Sequence, residues 1–407
     1  MGNEWYCNKN WRDSNSKIVE IFLGISTSAL CYIYPMEIKN KIIGFFYRNI
    51  LKKIFFLFDP ERIHDLLTSS GIFLGKFTIT RYLTSKLFEY RDPVLTQNIL
   101  GIKFNNPIGL SAGFDKDASL MNILPKVGFG YEEVGSITLE PYEGNPKPRL
   151  FRLKNSKALV VYYGLKNTGV TRIISKLRAF KNKEFPLGIS IAKTNCDRTA
   201  ETHAGVQDYY DCLEKVMESD QGNFYEINIS CPNTFGGEPF TTPERLELLL
   251  SKLRKLHPIK PMFIKMPINL EWKDFEDLLK VAVKYKVKGV VIGNLTKVRD
   301  PKLIHDEIPE GIKGGISVKP TWDLSNELIS KTYVHYGDKL KIVGVGGVFS
   351  AEDAYEKIKR GSSLVSLITG MIFNGPQLIG EINYGLSQLL KKDGYTNISE
   401  AIGVYNK

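Results

Sequence analysis

Cysteine is scarce in this chain and shows no pattern. The five residues are Cys7, Cys31, Cys196, Cys212 and Cys231. Their number is odd and no Cys-x-x-Cys pair occurs, which argues against a disulfide scaffold, points to reduced thiols and leaves no zinc-ligand spacing. No metal is expected. Long Lys/Arg runs are also missing, although the net charge is +11. With no aromatic–basic RNA motif either, nucleic acid is not an expected partner. No early Gly-x-Gly-x-x-Gly turn follows a first strand, so an open dinucleotide-binding sheet has little support. Long apolar runs are limited to Ile18–Tyr34, which is broken by Glu20, ended by Pro35 and bracketed by Lys17 and Lys39. That run is at the short end for a span of about 20 residues and lacks a clear small-residue cleavage site. It is read as a single membrane anchor, making residues 1–37 a targeting or anchor segment.

What is present suffices for one large domain and a smaller appendage: 407 residues, 43% of them hydrophobic. After the anchor, Ile42, Ile43, Phe45, Phe46, Ile50, Leu51, Ile54, Phe55 and Leu57 recur at helical spacing over residues 38–58. Lys39, Lys41, Arg48, Lys52 and Lys53 lie among them. A basic amphipathic stretch of this kind suits a membrane surface; a solvated helix face is the alternative. A second helix is expected over Pro60–Phe73, and residues 38–90 are read as a helical, membrane-associated cap.

From residue 105 the pattern becomes regular. Strand-like runs occur at Ile108–Ser111, Glu133–Thr138, Leu187–Ile191, Tyr225–Ile229, Met262–Met266, Gly289–Asn294, Lys341–Val345 and Ser363–Ile368, and most gaps hold a helix-like stretch. Eight strands alternating with helices predict an α/β fold, a (β/α)8 TIM barrel over residues 91–407. A doubly wound sheet is the alternative. Chemistry in such a barrel sits where strands end. Lys116, Ser136, Thr138, Lys193, Lys265, Asn294, Thr369 and Gly370 all fall there. Each alone could be a turn residue or a solvated charge; turn chemistry does not explain their joint placement.

The stretch Asn228-Ile229-Ser230-Cys231-Pro232-Asn233-Thr234 packs carboxamides, hydroxyls and a thiol into one turn. It can hold a small planar polar molecule and set one proton acceptor, Cys231, against it, although these are also ordinary turn residues. Val343-Gly344-Val345-Gly346-Gly347, with Thr369-Gly370 at the next strand end, suggests a phosphate cradle. Lys265 could sit beside a flavin, form a salt bridge at the barrel mouth, or serve as a Schiff-base lysine. The thiol turn favours a redox reaction with proton removal.

These residues resemble class 2 dihydroorotate dehydrogenase, the membrane-associated, quinone-linked flavoenzyme of pyrimidine synthesis. The markers are Phe58-Asp59-Pro60-Glu61 with His64, Asn106–Lys116, Glu133–Thr138, Gly144–Arg152, Asn228–Thr234, Val343–Gly347 and Glu400–Gly403. The resemblance runs from about residue 58 to the C-terminus. It implies oxidation of dihydroorotate to orotate with FMN and a ubiquinone-type acceptor, at the mitochondrial inner membrane if the source is eukaryotic and at the cytoplasmic membrane otherwise. It further implies that Ala112, Gly113, Lys116, Ser136, Asn228, Lys265, Gly315, Gly346, Gly347, Thr369 and Gly370 hold FMN. Lys116, Asn228, Asn233 and Asn294 would bind substrate, Cys231 would take the C5 proton, and His64 and Arg152 would line the quinone tunnel.

Several positions depart from the family pattern. The base is usually serine in class 2 and cysteine in the soluble class 1 enzymes. A thiol near its ordinary pKa of about 8.5 is the easier proton acceptor. A substrate-binding Asn has become Val161, a ring-packing Phe has become Leu165 and a substrate hydroxyl has become Leu295. Ser190 stands where a flavin-contacting Asn is common, and Ile368 where a quinone-site Tyr stands. An unpaired polar group in a buried site costs about 1–3 kcal/mol, so two lost partners weaken ligand binding by one to several powers of ten. Two other functions therefore stay open: an FMN oxidoreductase acting on a less polar substrate, and a membrane-anchored paralogue without turnover.

Overall fold

The computed structural model describes residues 36–317 and 319–406; the apolar run expected to form an anchor, Ile18–Tyr34, lies outside them. Eight parallel strands close a barrel: β3 (Ile108–Leu110), β4 (Tyr131–Ile137), β7 (Leu187–Ile191), β8 (Phe224–Asn228), β9 (Met262–Met266), β10 (Gly289–Ile292), β12 (Lys341–Val345) and β13 (Leu364–Leu367), in that spatial order, with β13 pairing back onto β3. This is the expected (β/α)8 barrel, with strand ends displaced by one or two residues. The surrounding helices bury apolar stripes at helical spacing. Leu246, Leu249, Leu250 and Leu253 of helix Pro243–Arg254 are fully buried, as are Phe275, Leu278, Leu279 and Ala282 of helix Trp272–Lys284. Each leucine or phenylalanine of these stripes contributes about 1.5–3 kcal/mol by leaving water.

The barrel's N-terminal end is plugged. Tyr131, Phe224, Phe263, Val291, Val343 and Leu364 fill it from within, and Ile99 and Phe104 close it from the hairpin of β1 (Gln97–Ile99) and β2 (Ile102–Phe104). Gly188 makes room for the Phe224 ring; a Cβ there would lie 2.3 Å from it. Packing this end leaves the opposite mouth, at the strand C-termini, as the place for a ligand.

Several elements escaped the sequence pattern, among them the β1–β2 hairpin. Strands β5 (Leu150–Leu153), β6 (Ala158–Val161) and β11 (Gly315–Ile316) form a small antiparallel sheet over the mouth. They are too short for an alternating pattern to declare itself. A third cap helix, Thr78–Phe88, follows the expected one, which extends over Pro60–Lys76.

The first cap segment is helical from Met36 to Phe55, with a π turn at Tyr47–Leu51. The turn lies where Tyr47 reaches inward and donates its hydroxyl to the Ile372 carbonyl at 2.8 Å. Ile42, Phe45, Phe46, Ile50, Ile54 and Leu57 face outward, Leu57 with 81% of its surface exposed. No helix among the described residues is long and apolar enough to cross a membrane.

Cap and roof are joined by a buried ion pair. Arg149 Nη2 lies 2.6 Å from Glu61 Oε1 and its Nε donates to both carboxylate oxygens, while Nη1 donates to the Glu143 and Asn145 carbonyls. Burial pushes the Glu61 carboxyl up, but the Arg149 hydrogen bonds and charge, with Lys147 and Lys166, hold it net below the usual carboxylate range. Its contribution to stability is therefore present above the ordinary carboxylate pKa and lost as pH falls through the lowered value. Glu61→Ala strands the Arg149 guanidinium and is expected to cost about 3–5 kcal/mol, with faster amide exchange in helix Pro60–Lys76. Unchanged exchange and melting temperature would show that the cap is held by other contacts.

Candidate active site

The barrel mouth, roof and cap line a cavity of about 210 Å³. Its floor is a chain of hydrogen bonds from neighbouring strand ends. Asn228 Nδ2 donates to Ser136 Oγ at 2.7 Å, the Ser136 and Ser190 hydroxyls are 2.8 Å apart, and Ser190 Oγ donates to Glu226 Oε1 at 2.5 Å. Lys265, 4% exposed on β9, donates to Ser111 Oγ at 3.4 Å. Consecutive residues of these strands alternate between the barrel interior and the helices, which is why residues from four strands converge here.

The thiol turn is fixed on three sides. The Tyr209 hydroxyl donates to the Asn228 carbonyl at 2.6 Å. Asn294 Nδ2 donates to the Ser230 carbonyl at 2.8 Å and to its Oγ at 2.7 Å. Asn233 Nδ2 donates to the Val161 carbonyl of the roof at 2.8 Å. Cys231 lines the cavity within this frame. Burial pushes its thiol up to about 11, against the opposing pull of the Asn233 amide and the charges of Lys265 and Lys193. The sequence-based expectation of a thiol near its ordinary value is thus corrected; a buried thiolate lacks the hydration that a free one enjoys.

At the cap side the Lys116 ammonium lies 4.2 Å from the centre of the Tyr163 ring and makes no hydrogen bond among the described residues. Burial, then the Lys166 charge, lowers it to about 8. His64 reaches in from the cap, its Nε2 3.4 Å from the Phe114 carbonyl. Burial, then the Lys116 charge, lowers its imidazole to about 4, so it is neutral at physiological pH.

On the far side, Gly346 (φ +99°) and Gly347 (φ +79°) form a backbone concavity after β12, faced by Thr369 and Gly370. A Cβ on Gly347 would lie 2.4 Å from the Trp322 ring, and the Gly347 amide has no partner among the described residues. The Ser317 hydroxyl, 3.1 Å from that of Thr369, joins this end. Free amides, hydroxyls and bare glycine backbone suit a phosphate. Together with a lysine-bearing polar floor, they fit a phosphorylated planar cofactor such as FMN.

The cavity wall includes His64, Ala112, Gly113, Lys116, Ser136, Asn228, Cys231, Asn233, Lys265, Asn294, Gly346, Gly347, Thr369 and Gly370. Two expected residues lie elsewhere. Gly315 is buried in β11, where a Cβ would meet Leu295 Cβ at 2.6 Å; it lets the roof strand approach and does not line the cavity. Arg152 donates to the Phe58 carbonyl at 2.8 Å and covers the Phe56 ring at 4.6 Å, outside the wall. Val161, Leu165 and Leu295 do line the cavity, so the replaced positions border the ligand space. The sequence offered Tyr162 or Tyr163 only as a neighbour able to compensate for the lost substrate partners, and did not single out Glu226. A glutamate inside a β-rich run carries no local signal of its role.

The family model for dihydroorotate dehydrogenase matches residues 94–390. A dihydroorotate dehydrogenase (quinone) of Christiangramia forsetii is 38% identical over 352 residues, covering 83% of this chain and 97% of the relative. One of Nocardia farcinica is 33% identical over 368 residues, covering 88% and 97%. Among solved structures, the Eimeria tenella enzyme in complex with ferulenol superposes with a TM-score of 0.76 at 26% identity, covering 86% of this chain and 96% of that one. The barrel, the floor residues and the thiol turn all fall inside the matched segment. On sequence and architecture together, the chain belongs to the dihydroorotate dehydrogenase family.

Proposed function

We propose that this protein oxidises dihydroorotate to orotate with FMN and passes the electrons to a quinone, as a membrane-associated enzyme of pyrimidine synthesis. The observation that carries this reading is one cavity that joins a phosphate-sized glycine cradle, a buried lysine floor and a carboxamide turn bearing a thiol. Bound FMN supplies the hydride acceptor. Gly346, Gly347, Thr369 and Gly370 would hold its phosphate, and Ala112, Gly113, Ser136, Asn228 and Lys265 its ring system. Lys116 meets the substrate carboxylate, and Asn228, Asn233 and Asn294 orient the pyrimidine ring by its amide groups. Cys231 removes the C5 proton as the C6 hydride departs. Roof and cap exclude water from that step.

The test is anaerobic: L-dihydroorotate is added to the purified flavoprotein and the flavin absorption followed. Bleaching that a short-chain ubiquinone reverses is expected; a bound flavin that dihydroorotate leaves oxidised would refute the substrate assignment. For the acceptor, neutral His64 at the cap side of the cavity is the residue proposed to meet the quinone head. Arg152 does not line the cavity; it packs on Phe56 and acts on Tyr47, which bonds the carbonyl of the cavity residue Ile372, so it is proposed to flank the quinone entrance from the cap side.

We assign membrane association to the outward apolar face of cap residues 38–90, flanked by Lys52, Lys53 and Arg48, with residues 1–37 as an anchor and 91–407 as the catalytic barrel. In a eukaryotic source the site is the mitochondrial inner membrane, otherwise the cytoplasmic one. Protein lacking residues 1–36 is expected to keep its fold and to sediment with anionic vesicles less than the full chain but more than the same truncated protein carrying Phe45→Ser/Phe46→Ser/Leu57→Ser. Equal sedimentation of all three would remove the cap from membrane binding.

A second reading, a less polar substrate, is favoured by Val161, Leu165 and Leu295 on the cavity wall. The Val161→Asn/Leu295→Thr double variant distinguishes the two. If dihydroorotate is the substrate, restored partners worth about 1–3 kcal/mol each are expected to tighten orotate binding at least tenfold. No gain, or a loss, would mean that the apolar wall serves a different ligand.

A further inference from the structure

Immediately below the cavity floor lies a layer that the proposed reaction does not use. Glu133 of β4 and Glu226 of β8 are both 0% exposed, inside the barrel. Their strands are separated by β7, whose Ser190 is paired in register with Glu226. Glu133 Oε2 accepts from the Ala112 amide at 3.3 Å and from Ser366 Oγ at 3.5 Å; Glu226 Oε1 accepts from Ser190 Oγ. Each carboxyl keeps one oxygen, Glu133 Oε1 and Glu226 Oε2, with no hydrogen-bond partner, and the Tyr131 hydroxyl nearby has none either.

A fully buried carboxylate oxygen without a donor is costly, and two in one layer more so. The charged and titratable groups that face the pair are few: Lys265 from β9 and Tyr131 from the layer beneath. The remaining neighbours named above are neutral. Glu132 points to the opposite side of β4, beside Asp115. One lysine cannot neutralise two carboxylates. A single proton would offset that deficit and give an unsatisfied oxygen a donor. Burial and the Glu226 charge, against the opposing Lys265 charge, raise the Glu133 carboxyl to about 8.

We propose that Glu133 and Glu226 share one proton and act together as a positioning pair that keeps the layer around Lys265 electrically neutral beneath the reacting groups. The pair keeps its one proton through turnover, and no bond to substrate or cofactor forms there. With it, two carboxyls and one ammonium sum to zero; without it, the layer is at minus one and opposes the arrival of negative charge on the floor above. The pair reaches that floor through Ser190, Ser136 and Asn228, a continuous hydrogen-bonded path. The role assigned to it rests on the flavin reading given above, while the existence of the shared proton does not.

The test is infrared spectroscopy of the flavoprotein, reduced by light and a sacrificial donor so that no substrate is needed. At neutral pH a protonated-carboxyl band is expected, shifted by reduction of the flavin and lost on titration well above the Glu133 value. Glu226→Gln and Glu133→Gln are each expected to abolish it, because a single remaining carboxylate can pair with Lys265. Glu132, pushed up by burial and by Asp115, gives a separate band in every variant; a second, reduction-shifted band that survives in Glu226→Gln would mean that Glu133 holds a proton alone and would overturn the sharing. Absence of the reduction-shifted band in the unaltered protein would overturn the pair outright, whether or not the variants fold. The flavin midpoint potential of the unaltered protein should fall more steeply above about pH 8 than that of Glu226→Gln; identical slopes would overturn the coupling to the floor. If the substrate assignment is wrong, dihydroorotate fails to bleach the flavin while the light-induced band shift remains, so the two failures are distinct.

Discussion

Replacing Cys231 with alanine is expected to slow substrate-driven bleaching of the flavin by about 10²–10⁴-fold, the usual range for loss of a general base, while the flavin stays bound. The side chain stands in a turn fixed by Tyr209, Asn294 and the roof carbonyl of Val161, so removing a sulfur should leave that frame in place. Retained flavin with lost reduction would separate chemistry from folding. Reduction at the unaltered rate would remove Cys231 as the base.

The raised thiol gives this prediction a pH dependence of definite sign. The reactive form is the thiolate, and burial holds the thiol up to about 11. The thiolate is then a small minority at neutral pH, and its fraction grows about tenfold per pH unit below that value. The rate of flavin reduction should climb with pH in step. A Lys193→Met variant, which removes one charge that stabilises the thiolate, should shift the climb to higher pH. A rate that is flat with pH would take the thiolate out of the rate-determining step.

Different physical signals made different parts of this molecule legible. The barrel could be read because each of its strands is a short apolar run followed by an amphipathic stretch, as at Met262–Met266 and Trp272–Lys284, and both patterns are local. The cavity residues could be read because the fold puts strand ends together, so Lys116, Ser136, Asn228 and Lys265 needed only a correct strand count. The roof could not. Strand β11 is two residues long, and its partner is more than 150 residues away in sequence. Gly315 therefore looked like a ligand-side glycine, when its lack of a side chain serves the close packing of Leu295. The surroundings of Arg152 were not legible for a related reason: its partner, the Phe58 carbonyl, belongs to the cap, whose seat on the barrel is a tertiary fact. The thiol's ionisation failed on burial alone, which a residue's type does not report.

Lys116→Met is expected to weaken orotate binding by about thirtyfold to several thousandfold, the equivalent of about 2–5 kcal/mol for one half of a buried charge pair. The argument is one of unmet need. Lys116 has left water, as its lowered value of about 8 records, yet it has only the face of Tyr163 and no hydrogen-bond acceptor among the described residues. An ammonium held this way gains most from an anion that enters the cavity, and an arriving carboxylate would raise its pKa in turn. Orotate affinity should therefore fall as pH rises through the free lysine's value, because binding must then recruit a proton. The same methionine would also touch flavin retention, since Lys116 is proposed to border both ligands. The decisive quantity is the ratio: orotate affinity measured only on flavin-loaded protein. If that affinity matches the unaltered protein's, the carboxylate sits elsewhere, and Lys166, which also lines the cavity on the Lys116 side, becomes the residue to replace.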